Sequence, residues 1–436
     1  MPQALRLSPL TLALCVLFVV HAVAIPLALR AGFQTPRDET IVGHVVRFAY
    51  RRQADDSWRP MEAARAYARE QPGADIYQEI FFHRRLKFQY PPSSLLFIGG
   101  LSRHALNLVS WVCVWITVAL TVALFRGATQ TGASTLQRPG TFDLLVGSLV
   151  VAVLCLSFYP LIRGYTLGQI QVWVDALFAA ALWAWYRGRP TASGICLGIA
   201  CLIKPPLFVL ALWALVRRQR AMLAGMLVTC CIGVSVSIAV YGFSSHVSYV
   251  RVLSFISQRG EAYYPNQSVN GLLNRWLDNG DNLKFQKFEF PPPNAIVSRA
   301  TIIAAIVLLL MALTIPAWRR RDDPRFDLPL MAATATIMSP IAWEHHHGVW
   351  PPILALLVPA VLDRAEARRW VAAALCVAFV LTAQYFSPIQ RLADTAWNPL
   401  QSYVFFGALL LIATAYVVMV TAHDRVPVTI ARPRVP

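Results

Sequence analysis

The feature that most constrains this chain is a series of long apolar stretches that are nearly free of charged residues. A membrane-spanning helix needs about 20 mostly apolar residues, and about twelve stretches approach that length. Because lipid offers the backbone no hydrogen-bond partners, such stretches fold as helices. We therefore predict an all-α polytopic membrane protein with about twelve transmembrane helices. The predicted spans are 7–29, 95–125 with a break near 103–104, 142–159, 170–186, 192–203, 207–216, 222–241, 296–318, 328–343, 349–362, 370–386 and 403–420. The first span is expected to be a retained helix rather than a cleaved signal peptide.

The composition agrees with that prediction. Of the 436 residues, 57% are hydrophobic and 14% are charged, and the mean hydropathy is +0.51. A soluble domain has about 25% charged residues, and a disordered chain has low hydrophobicity. Both classes are excluded. All 8 cysteines lie in apolar stretches without a paired CxxC pattern, so we expect buried thiols rather than a zinc site or a disulfide framework.

The net charge of +17 is explained by the distribution of arginine. A basic soluble protein would suggest a nucleic-acid partner. If the N-terminus is cytoplasmic, however, the short loops of the opposite side hold only Arg163, Lys204 and Arg391. This asymmetry follows the positive-inside rule, so we expect no nucleic-acid partner. The cytoplasmic loops and tail then carry arginines 126, 138, 187, 189, 217, 218, 220, 319–321, 325, 364, 368, 369, 425, 432 and 434.

Two long loops lie on the outer side in this topology, at 30–92 and 242–295, and residues 422–436 form a cytoplasmic tail. Loops longer than about 15 residues are usually functional when they are ordered. In the first loop we predict a helix at 61–70. We also predict an amphipathic segment on the membrane surface at 81–90, where aromatic and basic residues are mixed.

Polar side chains at the ends of the spans gather on this same outer face. We expect them to form one outward-facing site rather than to be scattered over both faces. Simpler roles exist for each: an exposed acidic pair, a lysine that reaches the interface, or a polar turn. The candidates are Asp55, Asp56, Lys87, Tyr90, Gln169, Lys204, Asn266, Gln267, Arg275, Glu344, His345 and His346.

Three consecutive histidines, at 345–347, raise the question of a metal site. Adjacent residues on one helix point in different directions, so at most two of them could share an ion. No Asp-x-Asp pattern accompanies them. We therefore favour hydrogen bonding or acid–base chemistry for these imidazoles and predict that the protein uses no metal and no cofactor.

The order of these motifs resembles glycosyltransferase family 87, a family of polytopic enzymes of the GT-C class. No single motif is specific, but the order and spacing extend over nearly the whole chain. The family's Asp usually lies closer to the end of the first span than Asp56 does, which leaves Asp38, Asp55 and Asp75 as alternatives. The matching elements are Asp56-Ser57-Trp58, the Ala-rich stretch at 63–65, Tyr77, KFQYPP at 87–92, Gly168-Gln169, Lys204-Pro205, NQS at 266–268 and SPIAWEHH at 339–346.

The resemblance implies one integral-membrane glycosyltransferase domain over 1–436 with a GT-C fold. It implies transfer of a hexose or pentose, with a mannose-type sugar favoured, from a polyprenyl-phosphate-linked donor. The acceptor would be a hydroxyl of a glycolipid or envelope glycan at the outer, periplasmic or exterior, face of the cytoplasmic membrane. The reaction would invert the sugar carbon without a metal.

The residues satisfy the chemical needs of that reaction. An attacking hydroxyl requires a base, for which Asp56 is our candidate. A departing phosphate requires donors or cations, for which Lys204, His345, His346 and Arg275 are candidates, with His346 slightly preferred over His345. The residues expected to bind substrate are Asp55, Lys87, Tyr90, Gln169, Lys204, Asn266, Gln267, Arg275 and Glu344.

A polytopic transporter or flippase for a lipid-linked sugar is the alternative interpretation, and a non-catalytic scaffold is a third. Transporters place charges at mid-membrane and show repeated halves. Here Asp175 is the main acidic residue within a span, and no repeat is evident. An unchanged phenotype on removal of Asp56 would favour the scaffold.

The arginine asymmetry predicts the orientation. Reporter fusions after Arg220 should report a cytoplasmic location, and fusions within 258–282 should report an external one. An external signal after Arg220 would separate the candidate residues onto two faces and contradict a single shared site.

Overall fold

In a computed structural model, the described residues are 6–131, 139–318, 326–364 and 368–421. They form helices and turns, with one isolated β-bridge between Asn266 and Trp343. The predicted all-α class is confirmed for this part of the chain. The predicted tail at 422–436 and the arginines at 138, 319–321, 325, 425, 432 and 434 lie outside it.

The α-helices of the described residues are numbered here in chain order. They are α1 Pro9–Val19, α2 Ile25–Phe33, α3 Ile41–Ala49, α4 Trp58–Glu70, α5 Arg103–Thr131, α6 Thr141–Leu156, α7 Tyr159–Leu167, α8 Gln171–Tyr186, α9 Pro190–Ile203, α10 Val209–Val216, α11 Arg220–Tyr241, α12 Phe243–Arg259, α13 Val269–Trp276, α14 Ala295–Trp318, α15 Asp327–Ile337, α16 Trp350–Arg364, α17 Arg368–Ala383 and α18 Tyr403–Thr421.

Short 3-10 and π turns connect or interrupt these helices. The π turns are Val20–Ala24, which joins α1 to α2, and Gln78–His83. The 3-10 turns are Arg37–Glu39, Pro92–Leu96, Pro205–Phe208, Glu344–Val349, Ser387–Leu392 and Asn398–Ser402.

The predicted count of about twelve spans is not confirmed. Within the described residues, 5 helical segments are long and apolar enough to cross a membrane, or up to 6 if α6 and α7, bent by 46° relative to each other, form one span. Several predicted spans are shorter helices, because prolines interrupt them. The predicted span 328–343 is helical only to Ile337, before Ser339-Pro340, and the span 207–216 begins as a 3-10 turn at Pro205.

The long apolar helices present aliphatic side chains outward, as lipid-facing helices do. Helix α11 exposes Val228, Ile232 and Val236, and α14 exposes Ile302 and Ile303. The break that we predicted near 103–104 is also present, since α5 begins at Arg103 after the turn Pro92–Leu96.

The two predicted outer loops pack against each other. The helix predicted at 61–70 is present as α4. The segment 81–90, however, does not lie on a membrane surface as we predicted. Phe81 and Phe88 are buried, and the Phe81 ring lies 5.8 Å from the rings of both Phe255 and Phe290. These aromatic side chains form the core between the two loops.

Polar contacts also join the loops. The Asp75 carboxylate accepts hydrogen bonds from the Tyr77 backbone N–H and from the Ser248 hydroxyl. The Lys87 ammonium donates to Glu261 Oε2 at 3.1 Å. Together with the aromatic core, these contacts fix the two loops in position relative to each other.

Candidate active site

A cleft of about 890 Å³ lies between the two outer loops and the ends of the helices beneath them. It collects side chains from positions that are far apart in the sequence. Nine of the predicted site residues line it: Asp55, Asp56, Lys87, Tyr90, Gln169, Lys204, Glu344, His345 and His346. Asn266, Gln267 and Arg275 do not.

One wall is held by three backbone hydrogen bonds between the first outer loop and the turn after α7. The N–H groups of Ala54, Asp56 and Ser57 donate to the carbonyls of Thr166, Leu167 and Gly168 at 2.9, 3.0 and 3.1 Å, respectively. We call this pairing the 54–57/166–168 ladder. It brings the acidic pair of the first loop beside Gln169.

Gly168 is required where the ladder crosses the turn. Its φ is +72°, and a Cβ atom there would lie 2.1 Å from the Ala54 carbonyl oxygen. Glycine tolerates this left-handed backbone without strain. The absence of a side chain lets the two loops approach to hydrogen-bonding distance.

The ladder places Asp56 in a hydrogen-bonded network at the wall. The Gln169 amide N–H donates to Asp56 Oδ2. The same Gln169 accepts, at Oε1, from the Ser57 hydroxyl at 2.8 Å and the Tyr90 hydroxyl at 2.9 Å. Burial raises the pKa of Asp56, while the Gln169 hydrogen bond and the charge of Arg163 oppose that rise. Asp56 is thus an oriented carboxylate that still faces the cleft.

The rival carboxylates have other partners. Asp55 is exposed and lies 3.8 Å from the Arg103 guanidinium. Asp38 pairs with Arg47 on the surface at 3.1 Å. Asp75 caps the turn that contains Tyr77. Of the four, only Asp55 and Asp56 line the cleft, and of these two it is Asp56 that accepts a hydrogen bond from a side-chain amide, that of Gln169.

A second part of the cleft lining contains a chain of polar contacts that includes Lys204. The Lys204 ammonium donates to Gln171 Oε1 at 2.9 Å and to His346 Nε2. Gln171 in turn donates to the buried Asp175 carboxylate at 2.8 Å. Burial lowers the pKa of Lys204 to about 7. Lys204 does not extend to an interface but is enclosed beside the cleft.

The histidines following Trp343 have distinct surroundings. Burial lowers the pKa values of His345 and His346 well below the usual range, so both imidazoles are neutral at pH 7. His345 Nε2 has no hydrogen-bond partner in the described part of the chain, although the residue lines the cleft. His347 is outside the cleft lining and stacks on Trp350, with 5.9 Å between the ring centroids.

Glu344 lies at the back of the cleft. Its carboxylate accepts from the Tyr159 hydroxyl at 3.1 Å and the Tyr403 hydroxyl at 3.5 Å. Burial raises the pKa of Glu344 to about 7 despite the opposing charge of Arg163. These bonds anchor the turn that contains the histidines.

Arg163 is a cleft residue that the sequence analysis did not select. Its guanidinium donates no hydrogen bond to any side chain or carbonyl among the described residues, yet it lines the cleft. Its positive charge acts on Asp56, Glu344 and His345. The only sequence signal was an arginine in a short outer loop, where arginines are rare.

The NQS motif lies behind the cleft, and Asn266 and Gln267, which we expected to bind substrate, are not part of its lining. Both side chains are fully buried. Asn266 Oδ1 accepts from the Ala342 N–H at 3.0 Å, and the Gln267 N–H donates to the Ala342 carbonyl at 2.7 Å. The Gln267 side chain also bonds the backbone of Val404 at 3.1 Å. These amides hold the segment that leads into the histidines.

Arg275, which we expected to bind substrate, also lies outside the cleft lining. It is fully buried, and its guanidinium donates to the Asn266 carbonyl at 3.1 Å, to the carbonyls of 262–264, and to the Ser402 hydroxyl. A guanidinium with these partners organises the loop. No group of three or more His, Cys, Asp or Glu side chains in the described ranges is arranged to hold a metal ion.

Comparisons with known proteins identify relatives of this arrangement. The sequence profile of glycosyltransferase family 87 matches residues 88–340, more than half of the chain. That range contains Gln169, Lys204 and the NQS motif, whereas Asp56 precedes it and His345 and His346 follow it.

Two characterised relatives come from Mycobacterium tuberculosis. A polyprenol-phosphate-mannose-dependent alpha-(1-2)-phosphatidylinositol pentamannoside mannosyltransferase is 26% identical over 288 residues, which are 65% of this chain and 61% of that protein. The chain therefore spans about three fifths of that relative's length. A polyprenol-phosphate-mannose-dependent alpha-(1-2)-phosphatidylinositol mannoside mannosyltransferase is 24% identical over 361 residues, 78% of this chain and 79% of that protein.

Among solved structures, ArnT from Cupriavidus metallidurans bound to undecaprenyl phosphate aligns with 87% of this chain and 76% of its own. The sequence identity is 15% and the TM-score is 0.34. A likeness this distant contributes nothing to the interpretation of the site.

The ladder predicts the effect of substituting Gly168. Gly168→Ala would place an alanine in a left-handed backbone conformation and would also bring its Cβ atom against the Ala54 carbonyl. Gly188→Ala is the matched control: its φ is +70°, but no atom lies within 4 Å of the added Cβ, so it has only the left-handed backbone strain. We expect about 1 kcal/mol of destabilisation for Gly188→Ala and about 1–3 kcal/mol more for Gly168→Ala. Thermal unfolding of both variants measures the difference. Equal unfolding midpoints would show that the ladder is looser than described.

Proposed function

Because the chain belongs to glycosyltransferase family 87, we propose that it transfers a mannose-type sugar from a polyprenyl phosphate to a hydroxyl of a glycolipid or envelope glycan. The observation that supports this most directly is the cleft, whose lining includes Asp56, Gln169, Lys204, His346 and Arg163. The two mycobacterial relatives depend on polyprenol-phosphate-mannose and act on phosphatidylinositol mannosides. We extend the same donor chemistry to this chain.

The proposed location is the cytoplasmic membrane, with the cleft on its outer face. The long apolar helices support membrane insertion. The arginine-poor short loops support an outward-facing cleft. In this arrangement the prenyl chain remains in lipid while its phosphate and sugar enter the cleft, as in a GT-C fold.

The chemistry is a single displacement at the anomeric carbon. The acceptor hydroxyl oxygen forms a bond to that carbon as the bond to the phosphate oxygen breaks. The electron pair departs on the phosphate, and Asp56 takes the hydroxyl proton. Desolvation by the surrounding protein raises the pKa of Asp56, and a carboxylate with a raised pKa is a stronger base for this step. Because no covalent intermediate forms, the configuration inverts.

The departing phosphate gains negative charge and needs donors placed in advance. We propose that Lys204, supported by His346, contacts it, and that His345 Nε2 supplies a further polar contact. Arg163 adds a permanent positive charge, whereas Lys204, with a pKa of about 7, is only partly protonated at neutral pH. Phosphate binding would favour the charged form of Lys204.

Asp175 is the main acidic residue within a predicted span, which is where a transporter would place a coupling charge. The hydrogen bonds from Asp175 through Gln171 to Lys204 give this carboxylate a role in the cleft instead. We therefore propose that Asp175 positions Lys204.

The proposed base predicts that Asp56→Asn lowers the transfer rate by about 10²–10⁴-fold while donor binding is retained. Transfer from polyprenol-phosphate-mannose to a phosphatidylinositol mannoside, followed by mass spectrometry, measures the rate. Asp55→Asn is the matched control and should have a much smaller effect, because Asp55 faces Arg103. An active Asp56→Asn variant together with an inactive Asp38→Asn or Asp75→Asn variant would show that another carboxylate is the base.

The phosphate contacts predict that Arg163→Gln, His345→Ala and His346→Ala each lower transfer by about 10- to 150-fold, the equivalent of one charge-assisted hydrogen bond. Arg69→Gln, an exposed arginine outside the cleft, is the control and should be unaffected. Added zinc or chelator should change nothing. Full activity in Arg163→Gln would remove this residue from the phosphate site, and loss of activity on chelation would contradict a metal-independent reaction.

A further inference from the structure

Three aromatic rings on one side of the cleft have no part in the steps above. The Trp343 ring lies 6.2 Å from the Tyr263 ring and 5.8 Å from the Phe285 ring, and Tyr263 and Phe285 are 5.9 Å apart. All three line the cleft, and none is fully buried. We call this group, Tyr263, Phe285 and Trp343, the aromatic wall.

The backbone bridge to Asn266 determines where Trp343 points. Trp343 pairs with Asn266, and the Glu344 N–H donates to the Pro265 carbonyl at 2.9 Å. Neighbouring side chains in such an extended pairing alternate in direction. Ala342 is therefore fully buried, while Trp343 lines the cleft.

A lysine fixes the second ring. The Lys87 ammonium lies 4.3 Å from the Phe285 ring centroid and 4.1 Å from that of Phe290. Its hydrogen bond to Glu261 holds the ammonium in this position. The aromatic wall is thus ordered before any ligand binds, which lowers the entropy lost on binding.

Ordered rings that stay accessible inside a charged cleft are suited to a ligand with both apolar and polar faces. A pyranose ring has such faces: its C–H groups lie against the electron-rich face of an aromatic ring, while its hydroxyls bond to polar neighbours. Glu344 and Lys287 supply such neighbours at this cleft. We propose that the aromatic wall is a binding subsite for a pyranose ring of the acceptor. This inference rests on the proposed function.

The acceptor ring is favoured over the donor ring by the position of Asp56. Phe285 and Lys287, two residues later, line the same cleft as the Asp56 carboxylate. The segment that supplies Phe285 therefore lines the space that the proposed base opens into. The donor sugar, in contrast, is attached to the phosphate at Lys204 and His346.

The test compares Trp343→Leu, which keeps an apolar side chain without a ring, with Trp343→Phe, which keeps a ring. The enzyme in nanodiscs is assayed with polyprenol-phosphate-mannose and a phosphatidylinositol mannoside, each varied while the other saturates. We expect Trp343→Leu to raise the acceptor KM by about tenfold and to leave the donor KM and kcat unchanged. Trp343→Phe should recover much of the acceptor affinity. Trp397→Leu removes a tryptophan that is 67% exposed and outside the cleft lining, and it should behave as the unsubstituted protein.

A binding measurement separates this inference from the proposed function. Saturation-transfer NMR with methyl α-mannobioside, without donor, should detect binding to the unsubstituted protein and a loss of binding in Trp343→Leu. That result would support the subsite whether or not transfer is detected. An absence of transfer with every polyprenyl-phosphate donor would overturn the proposed function but not the subsite.

Three results would overturn the subsite. The first is a rise in donor KM rather than acceptor KM, which would place the donor sugar on the aromatic wall. The second is equal kinetics for Trp343→Leu and Trp343→Phe, which would indicate contact with a prenyl chain. The third is unchanged kinetics and binding in Trp343→Leu. If Trp343→Leu fails to fold, Trp343→Phe still tests the claim, since its acceptor KM must remain near that of the unsubstituted protein.

Discussion

The site depends on three backbone hydrogen bonds that join residues 54–57 to residues 166–168. Without them, the acidic pair of a long outer loop would have no fixed position. With them, Asp56 lies beside the Gln169 amide, and Ser57 and Tyr90 hold that amide in the orientation that presents its N–H to the carboxylate. This contact requires a glycine at position 168, because any side chain there would clash with the Ala54 carbonyl.

The part of the cleft lining that contains Trp343 and the histidines depends on buried amide side chains behind it. Asn266 and Gln267 bond the backbone at Ala342 and thereby direct Trp343 into the cleft and set the start of the histidine turn. Arg275 holds these amides from behind through the carbonyls of 262–264. These residues hold the backbone behind the cleft, so they act on the proposed substrates through that backbone rather than by contact. Networks of buried hydrogen bonds such as this one make a loop rigid.

Much of this arrangement could be predicted from the sequence, and the rest could not, for physical reasons. Apolar runs predicted the positions of helices well, but the predicted number of spans is not confirmed, because prolines such as Pro205 and Pro340 divide some of the runs into shorter helices. The polar residues at the ends of the predicted spans indicated the cleft, because the predicted topology places them on one face of the membrane. Whether each side chain reaches the cleft was not predictable, because it depends on contacts between distant loops. Arg163 was missed for the same reason, and the position of Asn266, Gln267 and Arg275 outside the cleft lining was not foreseen.

The central claim is that one outward-facing cleft carries out a direct displacement between a polyprenyl-phosphate-linked sugar and an acceptor hydroxyl. The most direct measurement is the anomeric configuration of the product, determined by NMR. The purified protein in nanodiscs is incubated with polyprenol-phosphate-mannose of known configuration and a phosphatidylinositol mannoside. Direct displacement predicts one added hexose whose anomeric configuration is opposite to that of the donor. A product with retained configuration, or donor transported across the bilayer without any transfer, would contradict it.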